Sequence, residues 1–155
     1  MKKMLLVVSH GLVLLLGFAA GIYLLPILIQ PPAQSQQQID KVASEARFSG
    51  QFRRELEGSD PLHFAEGSIY FSDSQIAFAG SIAPGPDYRL YLSPEFVETK
   101  ADFLSHQHRM RQVGEVNRFK DFVLPLAASV DLEDYNSVII WCESFSLFIS
   151  AAKYQ

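Results

Sequence analysis

The stretch Ser137-Val-Ile-Ile-Trp-Cys142, continued by Glu143-Ser144 and by Phe145-Ser-Leu-Phe-Ile149, decides the fold. Its first segment is apolar on both faces, which is typical of a strand in the middle of a sheet. After Glu143-Ser144 the apolar positions change from even to odd numbers, which predicts a bulge or a tight turn. The end of the chain is therefore predicted to form two strands with an irregularity between them, directly beside Cys142.

Further short runs of β type lie upstream between turn signals, at Ser68–Phe71, Gln75–Ala79, Tyr88–Leu92 and Phe119–Leu124. In the third run Tyr88, Leu90 and Leu92 share one face. Many short strands with frequent turns predict an all-β fold, an antiparallel β-sandwich or barrel. We interpret it as a sandwich of about 110 residues, which is long enough to bury a core. Phe96–Arg111 is predicted to be a loop with a helical turn.

The N-terminus is predicted to interact with a membrane. Lys2 and Lys3 precede the apolar run Met4–Ile29, which as a helix would extend about 39 Å at about 1.5 Å per residue. Because a hydrocarbon core is about 30 Å thick, the run favours one uncleaved transmembrane helix. The lysines place the N-terminus in the cytoplasm and the rest outside the cell membrane, in the periplasm or the extracellular space. The alternative is a signal peptide cleaved within Gly17–Gly21.

The sequence divides into a membrane anchor over residues 1–30, a Pro/Gln-rich linker over residues 31–47 and the β-sandwich over residues 48–155. The second half of the linker, Ile39–Arg47, has a weak helical pattern. The whole chain has 13 basic and 17 acidic residues and a net charge of −4, which excludes a nucleic-acid partner. Its single cysteine excludes an intrachain disulfide.

Cys142 is the first residue that could carry chemistry. Burial and the neighbouring Glu143 would both raise its pKa, which disfavours a reactive thiolate. Ligation of a metal or of haem iron survives this objection, because the metal itself deprotonates the thiol. Two alternatives are a small buried core residue and a disulfide to a second chain.

Three histidines are further metal-ligand candidates. His106 and His108 have the spacing that puts two imidazoles on one face of a strand, as in some zinc, copper and iron sites. The same pattern also fits a solvated loop beside two arginines. His63 precedes a predicted strand and, taken alone, is a turn residue. No nucleophile elbow, phosphate-binding loop or haem-attachment motif is present, so nothing in the sequence supports hydrolase chemistry.

Several of these segments together resemble a known family. They are His63-x-x-x-Gly67 before a β run, Gly85-Pro-Asp87 before Tyr88-Arg-Leu-Tyr-Leu92-Ser93, and Val138-Ile-Ile-Trp-Cys142 followed by Phe145. The pattern, over about Phe48–Lys153, resembles the DM-thirteen domain family, also labelled the Skeletor-type electron-transfer domain. The resemblance implies a β-rich extracytoplasmic module whose hallmark is one nearly invariant cysteine, here Cys142. It also implies redox activity, in a cytochrome-like or haem-binding setting.

Two hypotheses follow. In the first, the protein is an electron carrier rather than a turnover enzyme: Cys142 ligates a haem or a transition metal, His63 is the second ligand, and a redox or envelope protein is the partner. In the second, the domain is a non-catalytic ligand- or protein-binding module in which Cys142 is structural. Its 12 phenylalanines and six tyrosines would then give an aromatic surface, with Tyr88 and Tyr91 contacting the partner.

Overall fold

The computed structural model describes residues 1–155 and contains two four-stranded antiparallel sheets after a long apolar helix. The helices are α1 (Lys2–Ile29), α2 (Gln36–Ser44) and α3 (Lys100–His106). The strands are β1 (Phe48–Phe52), β2 (Ala65–Phe71), β3 (Gln75–Ile82), β4 (Tyr88–Ser93), β5 (Arg111–Val116), β6 (Lys120–Pro125), β7 (Ser137–Cys142) and β8 (Leu147–Lys153). One sheet has the order β1-β2-β3-β6 and the other β5-β4-β7-β8. The predicted fold class, an antiparallel sandwich after one apolar helix, is confirmed.

The core lies between the two sheets and is built by alternation along the strands. Ile69 and Phe71 on β2 face Leu90 and Leu92 on β4, and all four side chains are fully buried in one apolar cluster. Since successive side chains of a strand point to opposite faces, the residues between them belong to the outer faces. The predicted face of Tyr88, Leu90 and Leu92 is the inner one.

The strand β7 is buried at every position and pairs with β4 on one side and β8 on the other, as its sequence predicts. Glu143–Ser146 forms the turn between β7 and β8, and Ser146 has a φ of 48°. The predicted irregularity therefore exists as a tight turn. The predicted strand Phe145–Ile149 began two residues too early and ended four residues too early, because Phe145 and Ser146 belong to this turn and β8 continues to Lys153.

Each sheet is covered on its outer face by a short helix. Ile39 and Val42 of α2 pack on Ala77 of the first sheet, and a capping box at Ser35 fixes where the helix begins. On the second sheet, Phe103 of α3 stacks on Trp141 with ring centroids 3.9 Å apart.

Two segments differ from their sequence-based expectations. The weak helical pattern at Ile39–Arg47 corresponds to α2, which begins three residues earlier, at Gln36, ends at Ser44 and packs on the sheet. The predicted loop Phe96–Arg111 holds α3 and a 3₁₀ helix at Gln107–Arg109, a more regular structure than a single helical turn.

The helix α1 has a mean hydropathy of 2.6 over its most apolar window and is long and apolar enough to cross a membrane. A signal sequence near an N-terminus satisfies the same criteria. The helix ends against the sandwich, where Ile27 packs on the core. The chain then follows the domain surface, and Arg118 Nε donates to the Pro32 carbonyl at 2.9 Å.

Candidate functional site

A largely apolar cavity of about 370 Å³ lies at one end of the sandwich, beside α1. Cys142 and His63 both line it, although the two residues are far apart in the sequence. The remaining walls come from the loop before β4, from the start of β8 and from Ala19, Ile22 and Tyr23 of α1. Its size lies within the range of small-molecule and cofactor sites.

Cys142 is 2% exposed and ends the central strand β7, with its side chain on the inner face. Its Sγ donates a hydrogen bond to the Pro86 carbonyl at 3.1 Å. Burial raises the pKa of the Cys142 thiol, and the negative charge of Asp87 adds to the effect. The thiol is therefore protonated at neutral pH. Because the side chain is also buried, it is not placed to meet a second chain, which disfavours covalent dimerisation.

His63 is held by the turn Asp60–His63. The Asp60 Oδ1 atom accepts from the backbone N–H groups of Leu62 and His63, at 2.7 and 2.9 Å. The Asp60 Oδ2 atom lies 2.8 Å from His63 Nδ1, and this hydrogen bond lowers the pKa of the Asp60 carboxyl. With Nδ1 engaged, Nε2 has no protein partner and is the nitrogen left for a ligand. Carboxylate–histidine pairs of this kind orient metal-bound imidazoles in many proteins.

Tyr88, which was expected on a partner-binding surface, lines this cavity instead. The side chain is buried, with only 3% exposed, and burial raises the pKa of the phenol well above its ordinary value. Its hydroxyl makes no hydrogen bond within the protein. An uncharged donor thus faces the same space as the thiol and the imidazole. The sequence signal that could have placed Tyr88 at the cavity is its position directly after Gly85-Pro-Asp87.

The loop Pro84–Asp87 joins the cavity wall to the turn after β7. The Glu143 backbone N–H donates to the Asp87 carbonyl at 3.1 Å, and Ser144 Oγ donates to the Asp87 carboxylate at 2.8 Å. Asp87 itself has a φ of 56°, a conformation that aspartate tolerates better than most residues. These contacts, with the bond from Cys142 to Pro86, fix the loop beside the thiol.

His106 and His108 lie elsewhere. His106 ends α3 and its Nε2 lies 3.0 Å from Glu95, while His108 is exposed in the 3₁₀ helix. Because α3 packs on the outer face of the second sheet and Cys142 points to the inner face, the two histidines do not line the cavity. Because His106 and His108 lie in helical segments, the prediction that they share one face of a strand is wrong.

The prediction that Tyr88 and Tyr91 form an aromatic surface, made under the binding-module hypothesis, is also wrong. Tyr88 and Tyr91 are only 3% and 8% exposed, so neither can capture a partner without unfolding. The Tyr91 hydroxyl donates to Glu143, and burial together with this bond raises its pKa to about 12. Among the large apolar side chains exposed outside α1, Phe145 is the one aromatic residue.

These features define a class of protein: a β-sandwich carried behind an apolar helix, with a cavity that presents one thiol and one imidazole. A family model described as Electron transfer DM13 matches residues 55–154. The chain belongs to this family, which confirms the resemblance. No curated protein and no solved structure matches the chain.

Proposed function

We propose that this protein is a membrane-anchored, extracytoplasmic electron-transfer domain in which Cys142 and His63 hold a haem or a transition metal. The observation that carries the proposal is that both donors line one cavity, in a chain of an electron-transfer family. Thiolate sulfur and imidazole nitrogen are ligands of haem iron and of copper or zinc. When bound, such a group would supply one-electron exchange.

The donor set favours haem over a bare metal ion. No group of three His, Cys, Asp or Glu side chains is placed to hold a metal. A haem brings four nitrogen ligands of its own and needs only one or two axial ligands from the protein. No lysine or arginine lines the cavity, so an anionic ligand would keep its charged groups at the mouth.

Each residue has a defined task in this proposal. Cys142 would bind as thiolate after giving up its proton to water, since a metal outweighs the effect of burial on its pKa. Asp60 would hold the His63 ring so that Nε2 stays available. The apolar walls would exclude water, which limits side reactions and raises the influence of nearby charges.

The test is an absorption spectrum and elemental analysis of the full chain, purified in detergent without chelators after expression with haem and metals supplied. We expect a Soret band or one metal per chain in the wild type. The signal should be lost or shifted in Cys142→Ser and in His63→Gln. The matched control is His108→Gln, which changes an exposed histidine outside the cavity and should keep the wild-type spectrum.

The second candidate is a ligand-binding module in which Cys142 is structural. The hydrogen bond from its thiol to Pro86 favours this function, because it gives the side chain a packing role without any cofactor. A folded wild-type chain that stays colourless and metal-free in the same experiment would overturn the first proposal and favour this alternative.

A further inference from the structure

Outside α1, the structure exposes few large apolar side chains, and two of them lie together. Leu62 is 62% exposed and Phe145 is 48% exposed, and both line the mouth of the cavity. Apart from Met1, which directly precedes α1, the remaining one is Leu104, 49% exposed, on α3 at the outer face of the second sheet. Two neighbouring apolar side chains at a cavity mouth, in contact with a helix that can cross a membrane, indicate an interaction surface rather than scattered exposure.

The position of the mouth along α1 can be compared with the thickness of a bilayer. At about 1.5 Å per residue, Ala19 lies about 24 Å and Tyr23 about 30 Å along the helix from Lys3. A hydrocarbon core is about 30 Å thick. If Lys3 lies among the headgroups of one leaflet, the cavity wall formed by Ala19 and Tyr23 lies at the boundary of the other leaflet. Tyr23 is also a residue type enriched at such boundaries.

Contacts between the sandwich and the segment after α1 restrain this height. The Gln30 side-chain oxygen accepts from the Phe119 N–H at 3.4 Å, and the Gln34 N–H donates to the Asp121 carbonyl at 3.3 Å. Ile27 packs on the core of the sandwich. The end of the helix is therefore held against the sandwich, and these contacts keep the cavity mouth near the membrane surface when the helix crosses a membrane.

We propose that the cavity opens onto the lipid bilayer, with Leu62 and Phe145 lying in the interfacial layer of the outer leaflet. The partner of this apolar rim is the bilayer itself, because the rim is continuous with the helix that would cross it. Any small molecule that enters the cavity then arrives through lipid, so the chemistry it fits is that of a lipid-soluble compound. This inference rests on the membrane anchoring in the proposed function and not on the cofactor.

The test places a tryptophan at each exposed position of the full chain and measures its quenching by lipid. Leu62→Trp, Phe145→Trp and the matched control Leu104→Trp are reconstituted into phosphatidylcholine nanodiscs with plain or brominated acyl chains. Trp141 is the one natural tryptophan, and its buried signal is subtracted using the wild type. Brominated chains should quench the tryptophans at 62 and 145 at least about twofold more than the one at 104, since interfacial side chains reach the acyl boundary.

Equal quenching at the three positions would overturn the inference, and so would a mature chain that lacks α1 and stays in solution. The measurement needs no bound cofactor. A colourless protein with selective quenching at 62 and 145 would therefore refute the haem or metal site and leave the membrane surface in place. A coloured protein without that selectivity would support the haem or metal site and refute the contact of the cavity mouth with the membrane.

Discussion

Gly85→Ala tests the packing of the loop against the cavity wall. A Cβ atom at Gly85 would lie 2.2 Å from Tyr88 Oη and 2.6 Å from Tyr88 Cζ, whereas ordinary contacts begin at 3.4 Å. The ring would have to move by more than about 1 Å to restore an ordinary contact. The ring is only 3% exposed and meets Phe119 edge-on, with centroids 6.1 Å apart, so it can move away from the new Cβ only toward the cavity that it lines.

Two opposing contributions set the size of the effect. Overpacking a well-packed core costs about 1–3 kcal/mol. Replacing glycine by alanine also removes freedom from the unfolded chain, which stabilises by about 0.4–1 kcal/mol where the backbone conformation allows it. Gly85 does not have a positive φ, so this gain applies. We expect a net loss of about 0–2.6 kcal/mol in the free energy of unfolding.

A double-mutant cycle separates the two contributions. Tyr88→Leu removes the atoms that the new Cβ would meet, so in that background Gly85→Ala should stabilise by about 0.4–1 kcal/mol. The coupling between the two positions should therefore be about 1–3 kcal/mol. The assay is urea unfolding of the full chain in detergent, followed by the fluorescence of Trp141, with equal m-values as the check on comparable unfolding. The same effect of Gly85→Ala in both backgrounds would refute the packing argument.

Four further substitutions, one of them a control, probe the surroundings of the site. Phe103→Ala should cost about 3–5 kcal/mol, because a fully buried ring stacked on Trp141 is lost; a loss below about 1 kcal/mol in urea unfolding would contradict the packing of α3. Tyr91→Phe should cost about 1–2 kcal/mol through the lost bond to Glu143. The control is Tyr70→Phe: the Tyr70 hydroxyl has no protein partner, so this change should cost less than about 0.5 kcal/mol. If Tyr91→Phe and Tyr70→Phe cost the same, the hydrogen bond from Tyr91 to Glu143 does not contribute to stability. The bonded Asp60 carboxyl has a pKa below its ordinary 3.8, so its contribution is present at neutral pH and lost as the pH falls through that lowered pKa. Asp60→Asn should thus lower stability by about 0.5 kcal/mol at pH 7, since the half-exposed pair is screened by solvent, and this loss should shrink as the pH falls through the lowered pKa; a loss that does not change with pH would contradict the pairing.

The strands were predictable because their signal is local. The apolar run Val138–Trp141 and the alternation of Tyr88, Leu90 and Leu92 each specify a strand within five residues, whatever the rest of the chain does. The short helices gave no comparable signal. α3 has seven residues and is stabilised chiefly by the contact of Phe103 with a distant strand, and isolated helices of that length are not stable.

The candidate site was predictable in part. Residue chemistry and the family resemblance were enough to select Cys142 and His63, which line one cavity. Tyr88 was expected on a binding surface, because alternation assigns a residue to a face without saying what the face meets. The contribution of α1 was not predictable at all, since apolar residues in a membrane helix carry no signal for a cavity wall in the following domain.

The packing of Cys142 bears on how its presence should be interpreted. The thiol bonds to Pro86, the next residue of the loop is tied to the turn after β7, and Gly85 leaves room for the ring of Tyr88. These contacts explain a cysteine at position 142 and a glycine at position 85 without any redox chemistry. They do not explain His63, which makes no hydrogen bond to this loop, is partly exposed and has a free Nε2. The case for a cofactor therefore depends more on the imidazole than on the thiol, and His63→Gln is the more discriminating substitution because little of the fold depends on that side chain.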